Sequence, residues 1–414
     1  MGLRFAPAIL LGRLARFVAR LRKPGGGSAV PGLVVNRVAP GFLPETLSGF
    51  RDGLVVVSGS SGKSTTTKML VTILEAHGRR VFTNPSTANI AQGLTSALLE
   101  RVSLSGRIDA DLAVLEMDEG HGAAIAPRLR PRVVVLTNVM TDQIDRFFDS
   151  ERVQGMLGRI AARASERVVL NGDDAMLAEL ELPGGVAVDR FGVSAEVRDA
   201  SPRGLGLARE TAERLASGVV VESSTGRSAV VSLDGSRVEL ALPAKGLHYA
   251  LDAAAALASA RGILGADFDA GTAAAAISGM TAVFARGEIT TVRGQQVEFV
   301  LVQNPASYQL NVDALDEGLD QVLVAMGSDV RDPGYFWPVD PARIGRARIA
   351  TGVKAHEFAL HLAYHGVEVD RVELDLARAV DDFLALPAPE RGVKTIIFTA
   401  DSMRRIRSHL GLAS

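Results

Sequence analysis

The 414-residue chain contains no cysteine, a single tryptophan and only six lysines. Without cysteine, this chain cannot form disulfide bonds, thiolate zinc sites or a cysteine nucleophile. Its 45 basic and 47 acidic residues give a formal net charge of -2. Nucleic-acid-binding proteins usually carry a basic excess, so this charge balance argues against that class of function. The length predicts two or three globular domains.

The N-terminal segment has no acidic side chain before Glu45. Basic and apolar side chains follow roughly helical spacing up to Lys23, and a glycine-rich stretch follows at 24–28. The arginines lie within and after the apolar run, which is too short to span a bilayer and unlike a cleavable signal. Two interpretations stay open for residues 1–45. The helix either contacts anionic lipid with a basic amphipathic face, or packs on its own domain with solvated arginines.

Short apolar runs alternate with helical segments along the rest of the chain. The runs that predict buried strands are 54–59, 112–115, 133–137, 168–170, 297–302, 321–325 and 395–399. Helical periodicity is found at 65–76, 88–100, 153–164, 249–261 and 355–364. This alternation predicts an α/β fold with parallel sheets of βαβ units. Between 186 and 245 the pattern changes to short alternating segments, which predict a small antiparallel β insertion.

A glycine-rich turn, Gly59-Ser60-Ser61-Gly62-Lys63-Ser64-Thr65, lies between the first predicted strand and the next helix. Glycines let the backbone turn its N–H groups toward phosphate oxygens, and a helix N-terminus adds donors and a favourable dipole. A lysine at this position neutralises the β- and γ-phosphates, and the next hydroxyl ligates magnesium. The spacing is shorter than the Walker A form, since Val57 stands where its first glycine would be. The pattern predicts a nucleoside triphosphate site.

This shorter loop resembles the ATP-binding loop of the Mur ligase superfamily, and about residues 10–414 resemble its MurT members. The matching segments are 84–99, Leu115-Glu116-Met117-Asp118-Glu119, 131–146 with Leu136-Thr137-Asn138, 170–174, Phe284-Ala285-Arg286-Gly287-Glu288 and Val302-Gln303-Asn304-Pro305-Ala306. The resemblance implies a parallel-sheet P-loop central domain of Mur ligase type over 46–283, including the insertion 186–245. A second α/β domain, the MurT-type C-terminal domain, is then expected over 284–414.

The resemblance also implies chemistry. Enzymes of this family activate a carboxylate with ATP as an acyl phosphate and join it to an amine, with Mg²⁺ as the metal. The loop from Gly59 to Thr65 is expected to hold the phosphates, with Ser64 and Glu116 as magnesium ligands. Asn138 is expected at the adenine, Arg286 at the phosphates after domain closure, and Asn304 as a further nucleotide contact. Asp142 and Asp145 are expected either to position metal or substrate, or to cap the following helix.

MurT proteins act with a GatD glutaminase and amidate the α-carboxyl of D-glutamate in lipid II. Because this chain has no cysteine, the resemblance implies that a GatD-like partner hydrolyses glutamine and supplies the ammonia. In the family an aspartate of the C-terminal domain completes the partner's catalytic triad, and the candidates here are Asp332 and Asp340. A cytoplasmic enzyme is implied, at the inner face of the membrane if residues 1–23 bind lipid. The substrate would be a lipid-linked or small-molecule carboxylate, and no nucleic-acid partner is expected.

Several positions depart from the family pattern and keep alternatives open. The insertion 186–245 lacks the four cysteines of the zinc ribbon that many MurT proteins carry, so no zinc is expected. Pro338 replaces an acidic residue after Trp337, and Gly246 is not followed by the family's paired asparagines. The alternatives are a ligase acting on a different carboxylate, such as a secondary metabolite, and a nucleotide-binding scaffold that regulates a partner.

Overall fold

The computed structural model describes residues 3–22, 29–85, 88–140, 149–201, 203–212, 215, 217–282, 285–390 and 392–412, with the backbone alone at 20–22 and 335. The described residues form two α/β units on separate sheets, preceded by a group of helices. The α/β fold predicted from the alternating pattern is confirmed.

The first unit is built on a nine-stranded sheet. Its strands are β1 (Leu54–Ser58), β2 (Val81–Thr83), β3 (Leu112–Glu116), β4 (Val133–Leu136), β5 (Arg167–Asn171), β6 (Ala187–Val193), β7 (Val219–Thr225), β8 (Ser228–Leu233) and β9 (Ser236–Ala241). They are ordered β2-β3-β1-β4-β5-β6-β7-β8-β9. Pairing is parallel from β2 to β7 and antiparallel from β7 to β9. The segment 186–245 therefore extends the edge of this sheet.

Helices cover both faces of the first sheet. They are α1 (Ala6–Arg22), α2 (Val30–Val38), α3 (Phe42–Leu47), α4 (Lys63–Ala76), α5 (Ala91–Arg101), α6 (Glu119–Ile125), α7 (Ser150–Ala161), α8 (Ala175–Ala178), α9 (Ala195–Asp199), α10 (Leu247–Leu264) and α11 (Ala270–Ser278). Apolar side chains of α4, α10 and α11 form the core on one face, and those of α5 and α7 contribute to the core on the other. Every residue of β1, β3 and β4 is buried, because a parallel strand covered on both faces has no solvent side.

The N-terminal helices belong to the first unit. α1 and α2 pack against each other and against α5. The approach of α2 to α5 is close, because the N–H of Gly32 donates to Ser96 Oγ at 2.9 Å and a Cβ at this glycine would meet the Gln92 carbonyl oxygen at 1.8 Å. One face of α1 is part of the protein core, because Ala8 and Ile9 are buried in it. Within the described residues, no helix combines the length and the apolar character that crossing a bilayer requires.

The second unit is built on a six-stranded sheet. Its strands are β10 (Arg286–Val292), β11 (Gln295–Leu301), β12 (Val322–Ala325), β13 (Arg346–Thr351), β14 (Glu368–Glu373) and β15 (Lys394–Phe398), ordered β10-β11-β15-β12-β13-β14. Its helices are α12 (Pro305–Ala314), α13 (Ala355–Tyr364), α14 (Leu376–Ala385) and α15 (Ala400–His409). All neighbouring strands are parallel except the β10–β11 hairpin. The sequence pattern did not indicate β10, β13 or β14.

Polar contacts join the two units. The hydroxyl of Tyr249 on α10 donates to the carbonyl oxygen of Arg286, the first residue of β10, at 2.5 Å. Arg203 of the first unit forms an ion pair with Asp313 on α12 at 2.8 Å. These contacts join the two units, and the Tyr249 bond holds the start of β10 against α10. A cleft lies between the two units.

Candidate functional site

The glycine-rich turn leaves the buried strand β1 and enters α4 at Lys63. Gly59 and Gly62 have φ angles of 136° and 81°, a region that side chains other than glycine rarely adopt. A Cβ atom at Gly59 would lie 2.1 Å from Thr137 Oγ1, and one at Gly62 would lie 2.1 Å from Asp252 Oδ1. Glycine is therefore required at both positions, because the backbone is left-handed there and neighbouring atoms leave no room for a Cβ. This agrees with the prediction of a phosphate-binding loop.

The residues after β4 hold this turn in place. Asn138 accepts from the N–H of Ser61 with its side-chain oxygen at 2.9 Å, and from the N–H of Ser60 with its carbonyl oxygen at 2.9 Å. The Thr137 hydroxyl donates to the Ser61 carbonyl at 2.6 Å. The N–H of Met140 donates to Ser60 Oγ at 3.1 Å. Asn138, expected at the adenine, lines the inter-unit cleft and at the same time braces the loop.

Lys63 bends back over the turn. Its ammonium group donates to Glu119 Oε1 at 2.8 Å, to the Ser60 carbonyl at 3.1 Å and to the Gly59 carbonyl. Both charged side chains are shielded from solvent, with exposed fractions of 14% for Lys63 and 4% for Glu119. The cation predicted to contact phosphate is thus located in the loop and is neutralised by a buried carboxylate.

The two predicted magnesium ligands lie on adjacent elements. Ser64 is buried in the first turn of α4, and Glu116 is the last residue of β3, paired in register with Val57 of β1. Asn89 Nδ2 donates to Glu116 Oε1 at 3.3 Å, and the Asn84 side chain accepts from the Glu116 N–H at 3.0 Å. Together they orient the carboxylate at the carboxyl edge of the sheet, where ligands bind in open parallel folds.

The donor chemistry of this edge fits magnesium. A hydroxyl and a carboxylate are hard oxygen ligands of the kind that Mg²⁺ prefers. Among the described residues, no group of three ligating carboxylates, imidazoles or thiolates could hold a metal by itself. Protein-bound Mg²⁺ usually takes one or two carboxylates and completes its shell with substrate phosphates and water, so a pair of protein ligands such as Ser64 and Glu116 is compatible with this metal.

Helix α10 contributes an acid beside the loop. Asp252 is buried, and its Oδ1 accepts from the Thr66 hydroxyl at 3.2 Å. Burial raises the pKa of Asp252 well above its ordinary value, against the opposing effects of Thr66 and of the nearby Arg286 charge. Because the carboxyl group also abuts Gly62, it fixes the point where the turn becomes a helix.

The cleft between the units opens onto this loop. It contains about 820 Å³ of space outside protein atoms, including its open mouth. Residues of both units line it, among them Ser61, Gly62, Thr65, Asn138, Asp252 and Arg286. The structure therefore brings Arg286, predicted from the linker motif, to the same cleft as the loop and Asn138.

A second acid supports the end of β4. Asp174 is buried and accepts from the N–H of Val139 at 2.6 Å and from the N–H groups of Met176 and Leu177 at 2.9 and 3.2 Å. Burial raises the pKa of Asp174 to about 6, although the three N–H donors act in the opposite direction. Because Val139 follows Asn138, this carboxyl helps to position the residue that braces the loop.

Asn304 lies apart from the loop. Its buried side chain caps α12 by accepting from the N–H of Ser307 at 2.6 Å, and the Ser307 hydroxyl returns a bond to the Asn304 carbonyl. Its neighbours Gln303 and Ser307 line the cleft, whereas Asn304 is not among the lining residues. The structure gives Asn304 a capping role.

Asp332 and Asp340 lie in the second unit, outside the lining of the cleft. Asp332 is exposed, and its side chain accepts from the N–H of Gly334 at 2.9 Å. Asp340 accepts from the N–H of Ala342 at 3.0 Å and forms an ion pair with Arg203. These partners lower the pKa of Asp340, the Ala342 N–H most strongly. The two candidates differ, since only Asp340 is tied to a cation.

Sequence reasoning missed Glu119 and Asp252 as members of the site. In the sequence, Glu119 stands out only as part of a segment that resembles the family. Its position three residues after Glu116 is a signal for a second acid at the end of this strand. Nothing local marked Asp252, which lies far along the chain from the loop. The predicted pair Asp142 and Asp145 lies outside the described residues.

Comparison with known proteins agrees with this geometry. Residues 57–260 match the model of the Mur ligase middle domain. The chain is 28% identical to the MurT subunit of the glutamine-hydrolysing lipid II isoglutaminyl synthase of Streptococcus pneumoniae, covering 90% of this chain and 89% of that protein. The corresponding subunit of Staphylococcus aureus (strain COL) is 29% identical over 46% of this chain and 42% of its own length.

Solved structures share the architecture. The MurF ligase of Thermotoga maritima, determined in complex with ADP, superimposes with a TM-score of 0.67 and 20% identity over 92% of this chain and 83% of that one. At this identity the likeness shows a common fold. Residues 57–260 of this chain thus form a middle domain of the Mur ligase superfamily, and most of the chain is similar in sequence to a MurT subunit of that superfamily.

Proposed function

We propose that this chain is an ATP-dependent ligase of peptidoglycan synthesis that activates a carboxylate as an acyl phosphate and amidates it with ammonia. The observation that carries this proposal is the glycine turn with Lys63 at the end of β1, next to the strand β3 that ends at Glu116. Similarity to MurT supports the amidation and its acceptor, the D-glutamate α-carboxyl of lipid II.

The phosphate-binding step follows from the loop. The N–H groups at the start of α4 would donate to the β- and γ-phosphates, because a helix N-terminus offers free donors and a dipole that favours negative charge. Lys63 exchanges its contacts with the Glu119 carboxylate and with the loop carbonyls for phosphate oxygens when a nucleotide binds. Ser64 and Glu116 would hold Mg²⁺, which would supply positive charge that neutralises the phosphate oxygens.

The chemical steps conserve atoms and charge. An oxygen of the acceptor carboxylate attacks the γ-phosphorus, the bond from that phosphorus to the β–γ bridging oxygen breaks, and ADP leaves. Ammonia then attacks the acyl carbon, inorganic phosphate leaves, and the nitrogen loses a proton to give the amide. Arg286 lies in the cleft where its planar guanidinium group can pair with two phosphate oxygens during the first transfer.

The ammonia source is a GatD-like glutaminase that docks on the second unit. The exposed side chains of Leu360 and Tyr364 on α13 support this position, together with Trp337, whose ring lies 5.2 Å from that of Tyr364. Asp332 precedes this aromatic group and is exposed, whereas Asp340 is tied to Arg203. We therefore assign the partner's triad contribution to Asp332.

ATP turnover tests the ligase assignment. Wild type, purified partner, glutamine and lipid II should release ADP and phosphate and form the amide, and Lys63→Ala should abolish all three. A matched control is Lys354→Ala, which removes a half-buried lysine paired with Glu357 in the second unit. Turnover that is unchanged in Lys63→Ala would contradict the mechanism.

The partner assignment has its own test. A glutaminase should co-purify with the tagged chain, and Asp332→Asn should lower its glutamine hydrolysis, whereas Asp340→Asn should leave that hydrolysis largely intact. The opposite order of effects would transfer the role to Asp340. No co-purifying glutaminase would contradict the two-subunit proposal.

One observation favours a second candidate, a ligase of this type with a different acceptor. The segment 332–340 carries Pro338 where the family has an acid, and Pro338 is exposed beside the aromatic group. Amide formation on a small carboxylate but not on lipid II, in otherwise identical reactions, would favour that candidate.

A further inference from the structure

Helix α1 packs with one face and leaves the opposite face uncovered. Ile9 is fully buried, and a Cβ at Gly12 would lie 2.7 Å from a Val35 methyl group, so this side is in tight contact with the domain. A helix turns by about 100° per residue, which places Leu10, Leu14 and Phe17 on the other side. Their exposed fractions are 54%, 59% and 60%. α1 is therefore apolar on both sides, with a partner on only one.

Exposed apolar side chains are concentrated in this part of the molecule. Among the described residues, nine of the fifteen exposed large apolar side chains lie in the first 38 residues; they are Leu3, Leu10, Leu11, Leu14, Phe17, Val18, Val30, Leu33 and Val38. Contiguous exposed apolar surface on a folded domain commonly marks an interaction site.

The positive charge of the same segment indicates what kind of partner this face binds. The first 44 residues carry seven basic residues and no acidic one, in a chain whose net charge is -2. Arg13 of α1 lies beside the exposed apolar face, where its guanidinium group donates to the Val102 carbonyl. Arg4, in the turn that precedes α1, remains 70% exposed while paired with Glu45. Two copies of this face would bring like charges together, which disfavours self-association. An apolar strip between basic side chains instead matches an anionic lipid surface.

We propose that the face of α1 formed by Leu10, Leu14 and Phe17 binds an anionic membrane surface, with the helix lying in the plane of the interface. The three apolar side chains insert at the boundary between headgroups and acyl chains, and the flanking arginines contact lipid phosphates. No helix among the described residues could span the bilayer, so the contact is peripheral.

Membrane binding does not depend on the proposed enzymatic activity. Only its purpose, which is to bring the cleft to a carboxylate carried on a lipid, rests on the proposed function. The two are therefore testable separately, because vesicle binding requires no nucleotide, partner or acceptor.

Vesicle co-sedimentation of the full chain tests the proposal. Wild type should bind phosphatidylcholine vesicles that contain about 30% phosphatidylglycerol, bind pure phosphatidylcholine at least tenfold more weakly, and dissociate from the anionic vesicles in high salt. The triple variant Leu10→Ser, Leu14→Ser and Phe17→Ser should bind at least tenfold more weakly than wild type. The matched control, Val353→Ser with Leu374→Ser, changes side chains that are 58% and 59% exposed in the second unit and should bind like wild type.

Three outcomes would overturn the proposal. They are equal binding of wild type and the triple variant, equal binding to neutral and anionic vesicles, and a wild-type dimer that the triple variant loses without any vesicle binding. Sedimentation velocity detects the dimer, and unchanged thermal unfolding of the triple variant shows that it is folded. Absent vesicle binding with intact ATP turnover would refute this proposal and leave the proposed function standing.

Discussion

The buried pair of Lys63 and Glu119 makes a prediction about nucleotide affinity. In the described state the carboxylate lies 2.8 Å from the ammonium group, and both are shielded from solvent. A bound phosphate needs the same cation, so the nucleotide competes with Glu119 for Lys63. Glu119→Gln removes that competitor and one negative charge, while the Gly59 and Ser60 carbonyls still accept from Lys63. The variant should be less stable without nucleotide and bind nucleotide more tightly.

The magnitude follows from the type of bond that is lost. A hydrogen bond to a charged group contributes about 2 kcal/mol, and the two remaining carbonyls limit the cost of leaving Lys63 without its carboxylate. We expect the free energy of unfolding without nucleotide to fall by about 2 kcal/mol, which lowers Tm by about 5 °C for a unit of this size. Since wild type must break the pair on binding, the affinity of Glu119→Gln for ADP should rise by about 30-fold.

Calorimetric titration with ADP in EDTA measures this affinity. Magnesium is left out so that the measured affinity depends on the Lys63 ammonium group and not on a bound metal. The matched control is Glu166→Gln, which removes an exposed ion pair with Arg132 at 2.6 Å. Exposed pairs contribute less than about 1 kcal/mol, so this control should keep the wild-type Tm and ADP affinity. A folded Glu119→Gln protein that binds ADP no more tightly than wild type would refute the competition argument.

Three further predictions concern the loop, its support and the cleft. Gly62→Ala should abolish ADP binding, because the new Cβ would clash with Asp252. The control is Gly78→Ala: Gly78 has a similar φ of 77°, but a Cβ there would meet open space. This control should lose only about 1 to 2 kcal/mol of stability and should bind ADP like wild type. The pKa of Asp174, about 6, exceeds that of the unfolded chain, so between pH 4 and 6 the folded state binds more protons and rising pH destabilises it. Across that window, urea unfolding of wild type should lose on the order of 3 kcal/mol more than that of Asp174→Asn, in which this side chain does not titrate. Arg286→Lys should lower kcat for ATP turnover by about tenfold and Arg286→Ala further, because lysine keeps the charge without the planar fork.

The loop and the class of fold were predictable because their signals are local. A fully apolar strand such as β1 and the glycines that follow are read directly from consecutive residues, and both glycines have the backbone angles that this residue permits. The buried strands of a parallel sheet are continuous apolar runs, which periodicity identifies. Among the missed strands, β14 is of another kind. β14 carries exposed and half-buried residues, including Glu368 and Arg371, because it forms the edge of its sheet.

The parts of the site that sequence reasoning missed depend on contacts across long separations. Thr66 and Asp252 are 186 residues apart in sequence, and Lys63 and Glu119 are 56 apart. Which acid meets the loop is decided by the packing of α10 and α6 at the carboxyl edge of the sheet. Burial, which raises the pKa of Asp252, is likewise a property of the folded core and leaves no mark in the residues nearby.

The linker residues show how the second unit sets the geometry of the cleft. Ala285 has a φ of 59°, a left-handed conformation that costs an alanine about 1 kcal/mol. Its N–H donates to Glu288 Oε2 at 2.8 Å, and the same oxygen accepts from Arg407 on α15 at 2.8 Å. These bonds offset the strain and tie the linker to the second unit, while Tyr249 holds the Arg286 carbonyl from the first. Arg286 is thus positioned by both units. The strain at Ala285 is a cost of placing this arginine in the cleft that Ser61 and Gly62 of the loop also line.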